Sequence, residues 1–267
     1  MKVTPIFDPQ ASGRAMRVAA FMSGSGTNVI RLLERQRELE RQPHGSPFKI
    51  IFIFSDRSDG ASAGEKIALD AGIPYFSYDI RRFYSIKGLK RSCSTREGMA
   101  ARKEFDSVAS RLIRAFDIDI IALGGYMSYL TLKRCVNVHP ADLSLLTSDG
   151  KRKYVGDHAV ADAIASGETS LRSSTIWIDR GVDTGPLLMV SSPLKVTLPM
   201  PLPDLLEDQR AFQKVVEEHQ RRLKMIGDWK IFPLTVEMIA RGRFSLDQDT
   251  NVYVDGKPAP NGWRLEE

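Results

Sequence analysis

Apolar runs alternate with helical patterns through the first half of the chain, and this alternation constrains the fold more than any other feature. Strands are predicted at residues 17–22, 49–54, 74–78 and 117–125. Helices are predicted from residue 29 onward and at residues 63–71 and 105–116. Strands that alternate with helices usually pair in parallel, because each helix carries the chain back across the sheet. The sequence therefore predicts an α/β fold with a doubly wound, mostly parallel sheet flanked by helices.

The order of elements changes after residue 140. Helices are predicted at residues 159–165, 204–225 and 233–240, and strands at residues 174–178 and 187–190. The proline-rich segment at residues 199–203 is too short to separate two domains. We predict an N-terminal extension over residues 1–16 and a single domain over residues 17–267, with halves at residues 17–136 and 137–267.

The composition is that of a water-soluble globular protein. Hydrophobic residues make up 42% and charged residues 27% of the 267 positions, which excludes a disordered, collagenous or fibrous chain. No apolar run approaches the roughly 18 residues of a membrane span, and Asp8, Arg14 and Arg17 interrupt any signal peptide. Cys93 and Cys135 lack paired spacing, so we expect reduced thiols and no thiolate metal site. These features predict a cytoplasmic protein.

The net charge of +5 favours anionic ligands in general. The densest basic cluster comprises Arg81, Arg82, Lys87, Lys90 and Arg91, with Phe83 and Tyr84 among them. Such a mixture can bind the backbone and bases of a nucleic acid. A solvated loop is the alternative, and it is the one that we expect.

A glycine-rich loop, Ser23-Gly24-Ser25-Gly26-Thr27-Asn28, lies where the first predicted strand meets the first predicted helix. Backbone N–H groups at a helix N-terminus favour a phosphate. The loop lacks the lysine of a Walker motif, and Val29 stands where the dinucleotide fingerprint requires a small residue. A monophosphate therefore fits better than NAD. A tight turn that binds no ligand is the alternative.

Asn137 and His139 form a second candidate site within Asn137-Val138-His139-Pro140. Residues two apart in a strand share a face, so both side chains can point at one place. An amide donor beside an imidazole suits a site where negative charge develops on oxygen. The alternative is a packed, hydrogen-bonded histidine.

Asp183 lies in a loop at residues 181–186, between two predicted strands. An aspartate in a loop most often caps its own turn. If the fold brings this loop to His139, the carboxylate is expected to raise the imidazole pKa and to keep the ring protonated near neutral pH.

Together these residues resemble the folate-dependent formyltransferases over roughly residues 17–264. The resemblance rests on the order of six short motifs: Ser23-Gly24-Ser25-Gly26-Thr27-Asn28, Ala71-Gly72-Ile73-Pro74, Gly125-Tyr126-Met127, Asn137-Val138-His139-Pro140, Val182-Asp183-Thr184-Gly185-Pro186 and Val254-Asp255-Gly256. It implies a formyltransferase-like variant of the Rossmann fold, with a phosphate-binding first half and a catalytic, folate-binding second half.

The resemblance implies transfer of a formyl group from 10-formyltetrahydrofolate to the primary amine of glycinamide ribonucleotide, in de novo purine synthesis. Asn137, His139 and Asp183 match the catalytic set of the family. The implied partners are a phosphorylated amine and a reduced folate, with no metal, no membrane and no nucleic acid. The implied assembly is a monomer or a homodimer.

The resemblance also assigns binding residues. The substrate-binding set is Gly24, Ser25, Gly26, Thr27, Asn28, Pro140, Lys153 and Asp228. The folate-binding set is Arg102, Met127, Ser128, Tyr129, Leu130, Asn137, Gly181 and Val182.

Two departures from the family pattern affect the acceptor side. The family follows His-Pro with Ser-Leu-Leu-Pro, whereas here residues 141–146 differ and an insertion reaches Lys151-Arg152-Lys153. Asp228 stands where the family has a glutamate that meets the acceptor. A formyltransferase for another amine, such as an amino sugar or a modified nucleotide, is therefore an alternative. A noncatalytic nucleotide-binding or RNA-binding protein and a dinucleotide-dependent oxidoreductase are further alternatives.

Overall fold

The structure is a computed structural model that describes residues 2–265. Met1, Glu266 and Glu267, which belong to the predicted extension and domain, lie outside the described residues. The chain divides into two compact units. One comprises residues 7–136 and 240–242, and the other comprises residues 2–6, 137–239 and 243–265. The expectation of a single domain over residues 17–267 stays a prediction.

Strands and helices alternate along most of the chain. The first part contains β1 (Thr4–Pro5), α1 (Pro9–Ser12), β2 (Met16–Met22), α2 (Thr27–Glu40), β3 (Phe48–Ser55), α3 (Gly64–Ala71), β4 (Tyr75–Ser77), α4 (Ile80–Ile86), α5 (Arg96–Ala115), β5 (Ile120–Leu123) and β6 (Cys135–His139). The rest contains α6 (Ala159–Ala165), β7 (Ser170–Leu171), β8 (Ser174–Trp177), β9 (Leu187–Val190), β10 (Leu194–Lys195), α7 (Leu202–Glu207), α8 (Gln209–Leu223), a π-helical turn (Lys224–Asp228), α9 (Trp229–Ala240), β11 (Phe244–Leu246), β12 (Val252–Val254), β13 (Lys257–Pro258) and β14 (Trp263–Arg264).

The unit of residues 7–136 is built on a parallel sheet with strand order β5-β2-β3-β4. Its central strand β2 is buried from Val18 to Met22, which matches the continuous apolar run in the sequence. The carboxyl ends of these strands carry the glycine-rich loop, Asp56 and the segment from Gly124 to Leu130. In an open parallel sheet this is the edge where ligands bind.

The other unit contains β8 and β9 in antiparallel pairing, with β14 added in parallel to β9. The last three residues of β6 lie next to β8. β1 joins an antiparallel sheet of order β1-β11-β12-β13, so part of the predicted extension pairs with the C-terminal region. The core of this unit packs side chains from β8, β9, α6 and α8, including Ile176, Val190, Ile164, Val216 and Leu223.

The predicted fold class is confirmed, because the parallel strands alternate with helices as expected. Two local predictions are wrong. The long helix expected at residues 204–225 is divided into α7 and α8, because Asp208 leaves the helical conformation and caps α8 through Arg210 and Ala211 N–H groups. The loop expected around residues 81–91 contains α4, which begins after the capping residue Asp79.

The aromatic residues of that basic cluster belong to the core. Phe83 and Tyr84 are 8% and 3% exposed and pack with Phe105 and Ala101 of α5. Rings in this position are not free to stack on bases, so the arrangement does not support a nucleic-acid surface.

No helix among residues 2–265 has the length and apolar character to span a membrane. Cys93 and Cys135 are both free thiols.

Candidate active site

His139 and Asp183 meet in the unit of residues 137–239. His139 ends β6, and Asn137 lies two residues earlier on the same face of this strand. The imidazole Nδ1 of His139 is 3.4 Å from Oδ2 of Asp183. Both side chains are more than nine-tenths buried. The structure thus brings together the histidine and the acid of the predicted catalytic set.

The loop that carries Asp183 is held in a tight conformation. Asp179 Oδ1 accepts hydrogen bonds from the Gly181 N–H at 2.9 Å and from the Thr184 hydroxyl at 2.7 Å. Asp183 itself has φ +53°, a left-handed conformation that aspartate tolerates better than most residues. A Cβ at Gly185 would overlap the Trp177 carbonyl oxygen, so only glycine permits this approach. The backbone therefore sets the direction of the Asp183 carboxylate.

The electrostatics of His139 differ from the sequence expectation. Burial lowers the pKa of His139, although the Asp183 carboxylate, a hydrogen bond to the Tyr154 backbone and Asp157 all act to raise it. Asp183 thus acts on the His139 pKa in the expected direction, but the expectation of a protonated ring near neutral pH is wrong, because the net pKa is lowered. Desolvation of the cation outweighs its attraction to the acid, because the ring is almost wholly buried.

The surroundings of the two ring nitrogens of His139 indicate its tautomer. Nε2 is buried and has no hydrogen-bond partner among the described residues. Nδ1 faces Oδ2 of Asp183 at 3.4 Å, and a carboxylate is an acceptor, so the proton of a neutral ring belongs on the nitrogen that faces it. The neutral ring then carries its proton on Nδ1, which leaves the lone pair of Nε2 available to a ligand.

Sequence reasoning missed the residues that hold Asp183 in place. The Gly156 N–H donates to Asp183 Oδ2 at 2.9 Å. The guanidinium of Arg152 donates to the backbone carbonyls of Asp183 and, at 2.7 Å, of Gly185. Arg152 belongs to the insertion that departs from the family pattern, and that departure was the only signal in the sequence.

The glycine-rich loop lies in the unit of residues 7–136. Gly26 caps α2 with φ +64°, and no side chain of the described residues caps the first turn of this helix. The free N–H groups of that turn can bind an anion. Asn28 is 5% exposed, and its Oδ1 has no hydrogen-bond partner in the described part of the chain. Gly24 and Thr27 are half-buried, and Ser25 is exposed.

The predicted folate-binding segment lies beside this loop in the same unit. The Met127 N–H donates to the Ser23 hydroxyl at 3.0 Å. The Met127 side chain is 68% exposed, whereas Leu130 is buried and Ser128 and Tyr129 are half-buried. The Ser128 hydroxyl donates to Asp56 Oδ2. These contacts connect the ends of β2 and β3 with the segment after β5.

The Arg102 side chain is buried and binds other side chains of the protein. Its guanidinium is buried and donates to Asp106 at 2.7 Å and to the Tyr126 hydroxyl at 3.1 Å. Asp106 in turn accepts hydrogen bonds from the Thr131 N–H and hydroxyl. Arg102 thus connects α5 to the ends of the folate-binding segment. Its contact with folate stays a prediction.

The other predicted residues occupy three environments. Pro140 is half-buried directly after His139, and Gly181 and Val182 are exposed in the Asp183 loop. Lys153 binds Glu168 at 2.8 Å, and this pair draws the pKa of Glu168 below its usual value. Asp228 is 3% exposed in the π-helical turn and accepts a hydrogen bond from the Ser173 hydroxyl at 2.6 Å. π-turns of this kind are frequent at functional sites.

No group of three or more His, Cys, Asp or Glu side chains within residues 2–265 is arranged to hold a metal ion. The donor set at His139 is one imidazole and one carboxylate, which is suited to proton transfer.

The sequence model of the formyl transferase family matches residues 16–198, and the chain belongs to this family. Members are folate-dependent formyltransferases that use a formyl-tetrahydrofolate as cosubstrate. A phosphoribosylglycinamide formyltransferase of Haemophilus influenzae is 24% identical over 251 residues, covering 91% of this chain and 96% of that enzyme. The trifunctional purine biosynthetic protein adenosine-3 of Drosophila melanogaster is 27% identical over 238 residues, covering 86% of this chain and 14% of that longer protein.

Solved structures agree with the fold. A phosphoribosylglycinamide formyltransferase from Coxiella burnetii matches with a TM-score of 0.66 and 23% identity, covering 95% of this chain and all of that one. The enzyme of the same name from Anaplasma phagocytophilum matches with a TM-score of 0.66 and 21% identity, covering 94% and 99% of the two chains. At this identity the likeness shows the α/β fold.

Proposed function

We propose that this formyltransferase moves the formyl group of 10-formyltetrahydrofolate to the primary amine of glycinamide ribonucleotide. The observation that carries the proposal is the buried pair of His139 and Asp183, in which Nε2 of the histidine has no partner among residues 2–265. A buried polar atom without a partner is costly unless a ligand satisfies it. Family membership supplies the class of reaction.

The reaction begins when the amine nitrogen attacks the formyl carbon. The new N–C bond forms, and an electron pair of the carbonyl moves onto oxygen. Asn137 donates an amide N–H to this oxyanion, and Nε2 of the neutral His139 takes the proton that the amine releases. Asp183 stabilises the imidazolium that results, in the way that a buried acid supports a catalytic histidine.

The tetrahedral intermediate then breaks down. The bond between the formyl carbon and N10 of the folate breaks, and N10 leaves with a proton that the His139 imidazolium returns, directly or through water. The products are the formylated amine and tetrahydrofolate, and the enzyme recovers its neutral histidine. No proton, electron or leaving group is left over, so the transfer involves no net oxidation or reduction.

We assign the phosphate of the acceptor to residues 24–28. The support is the uncapped first turn of α2 and the left-handed Gly26, which exposes backbone N–H groups. We assign the folate to Met127, Ser128, Tyr129 and Leu130, with Arg102 as a supporting residue and with Gly181 and Val182 in the Asp183 loop. The exposed Met127 side chain offers apolar surface for a planar ring.

The acceptor side supports a second candidate, a different primary amine. Asp228 is one methylene shorter than the glutamate of the family and is engaged with Ser173. Lys153 is engaged with Glu168. We retain both residues, with Pro140, in the proposed acceptor site.

The proposal includes a cytoplasmic location, supported by two free thiols, and a monomeric or homodimeric state that size-exclusion chromatography with light scattering measures.

The decisive experiment is a formyl-transfer assay with purified full-length protein. Formation of tetrahydrofolate is followed with glycinamide ribonucleotide, with the corresponding glycinamide riboside that lacks the phosphate, and with a panel of amino sugars and aminated nucleotides. Turnover with glycinamide ribonucleotide alone supports the proposal. Turnover with another amine alone supports the second candidate, and no turnover with any amine refutes both.

A further inference from the structure

A short hairpin inserted after the His139 strand carries Arg152 to the Asp183 loop. The Thr147 N–H donates to the Lys151 carbonyl at 2.7 Å, and the Lys153 N–H donates to the Leu145 carbonyl at 2.9 Å. Gly150 makes the turn with φ +78°. Leu146 and Arg152 form an antiparallel bridge, so the position of Arg152 is set by the hairpin backbone.

The guanidinium of Arg152 acts on two backbone carbonyls of the loop. It donates through one nitrogen to the carbonyl of Asp183 and through the other to that of Gly185. This fork matches the planar geometry of arginine, and a single ammonium group cannot reproduce both bonds equally. Asp183 has a left-handed backbone, so its conformation requires support from its surroundings.

The Asp183 carboxylate depends on this support for its direction. Its Oδ2 is shared between the Gly156 N–H and His139 Nδ1. A rotation of the Asp183 backbone would move Oδ2 away from one of these partners. A displacement of about 1 Å in a catalytic group can reduce a rate about a hundredfold.

The charge of Arg152 also affects the pKa of the His139 imidazole. Asp183 and Asp157 act to raise the pKa of His139, and Arg152 acts to lower it, in addition to the larger effect of burial. Asp183 and Asp179 are in turn the charges that face Arg152. The inserted hairpin therefore places a cation next to the acid on which His139 depends.

We propose that Arg152 is a positioning residue for formyl transfer, which holds the Asp183 loop so that its carboxylate supports His139. The inference rests on the proposed function for its effect on turnover. It assigns a role to a residue of the inserted segment: Arg152 holds the Asp183 loop from outside that loop.

The test compares Arg152→Met, Arg152→Lys and the matched control Lys151→Met in the full-length enzyme. Lys151 lies at the tip of the same hairpin with a side chain 80% exposed, and it pairs with Asp149. For Arg152→Met we expect kcat to fall about 10- to 100-fold, while KM for either substrate changes less than about threefold. Arg152→Lys is expected to lie between wild type and Arg152→Met, and Lys151→Met to match wild type.

A second readout does not depend on turnover. Titration of the His139 ring by NMR, assigned with His139→Asn, should show a lower pKa in Arg152→Lys, which keeps the cation but displaces the Asp183 carboxylate that raises the His139 pKa, and no change in Lys151→Met. Wild-type kcat in Arg152→Met with an unchanged His139 titration in Arg152→Lys overturns the proposal, as does an equal loss of kcat in Lys151→Met. If Arg152→Met does not fold, a wild-type kcat in Arg152→Lys overturns it, and a reduced kcat at wild-type KM supports it.

Failure of the proposed function is distinguishable from failure of this inference. If the wild-type enzyme formylates no amine, the proposed function is refuted. The NMR titration still decides whether Arg152 controls the environment of His139.

Discussion

His139 and Asp183 face each other across 3.4 Å, from Nδ1 to Oδ2, and yet the histidine has a pKa below its ordinary value. The contact with the acid does not protonate the ring, because the desolvation free energy of the buried cation exceeds its attraction to the carboxylate. The pair is therefore arranged to receive a proton when negative charge develops nearby.

Replacement of His139 should abolish most turnover without unfolding the protein. We expect His139→Asn to lower kcat about 100- to 10,000-fold, the range for loss of a general acid–base group. Steady-state kinetics with circular dichroism measure both effects, with the exposed His44→Asn as control. A variant that keeps more than about a tenth of wild-type kcat would refute the assigned role of the ring.

Neutralisation of Asp183 should change the pH dependence. Asp183→Asn preserves an oxygen that can accept from the Gly156 N–H but removes the charge that raises the pKa of His139. We expect a still lower His139 pKa and a lower kcat, measured by NMR titration and by pH profiles. Asp149→Asn, at the exposed hairpin tip, is the control and should leave both quantities unchanged. An unaltered His139 titration in Asp183→Asn would contradict the coupling.

The two glycines of the phosphate loop should differ in their effects. Gly26→Ala places a Cβ within 2.6 Å of side-chain atoms of Ile67 and Met22, at φ +64°. We expect it to lower the free energy of unfolding by about 1–2 kcal/mol from the left-handed backbone alone. Gly24→Ala meets no described atom within 4 Å and should retain stability while raising KM for a phosphorylated acceptor. Urea unfolding and kinetics test the pair, and equal stability losses would contradict this difference.

Removing one partner of the buried ion pair of Arg102 and Asp106 should lower the free energy of unfolding. Its side chains are 2% and 3% exposed. Asp106→Ala leaves an unpaired buried charge, and we expect a loss of about 3–5 kcal/mol in the free energy of unfolding. The half-exposed pair of Arg35 and Glu38 is the comparison, and Glu38→Ala should cost less than about 1 kcal/mol. Denaturant unfolding measures both, and similar losses would show that burial is not the cause.

Stability should fall on the acid side of neutrality because of His139. Its pKa is lower in the folded enzyme than the ordinary value of about 6.5 that the unfolded chain has. Above about pH 6.5 neither state is protonated, and as the pH falls toward the folded pKa the unfolded state takes up the proton first. Wild type should therefore lose stability relative to His139→Asn as the pH falls from about 6.5 toward the folded-state pKa of His139. A pH-independent difference between the two proteins would contradict the lowered pKa.

The sequence was sufficient for the parallel half of the fold and for part of the candidate site. β2, β3 and β5 are short runs of apolar residues, and such runs identify buried strands from local pattern alone. The local pattern gave a wrong prediction at Asp208. There one capping side chain divides a helix whose apolar spacing continues. The local pattern gave another wrong prediction at Phe83 and Tyr84, whose burial depends on packing against α5.

What the sequence by itself determined is the set of local features: the alternation of strands and helices, the glycine turn before α2, and the shared face of Asn137 and His139. Each follows from the covalent order of neighbouring residues. Tertiary structure alone decided that Asp183 reaches His139, that Arg152 holds the Asp183 loop, and that the His139 pKa is lowered. These properties depend on which distant segments pack together and on how much water they exclude, and neither quantity has a local signature in the chain.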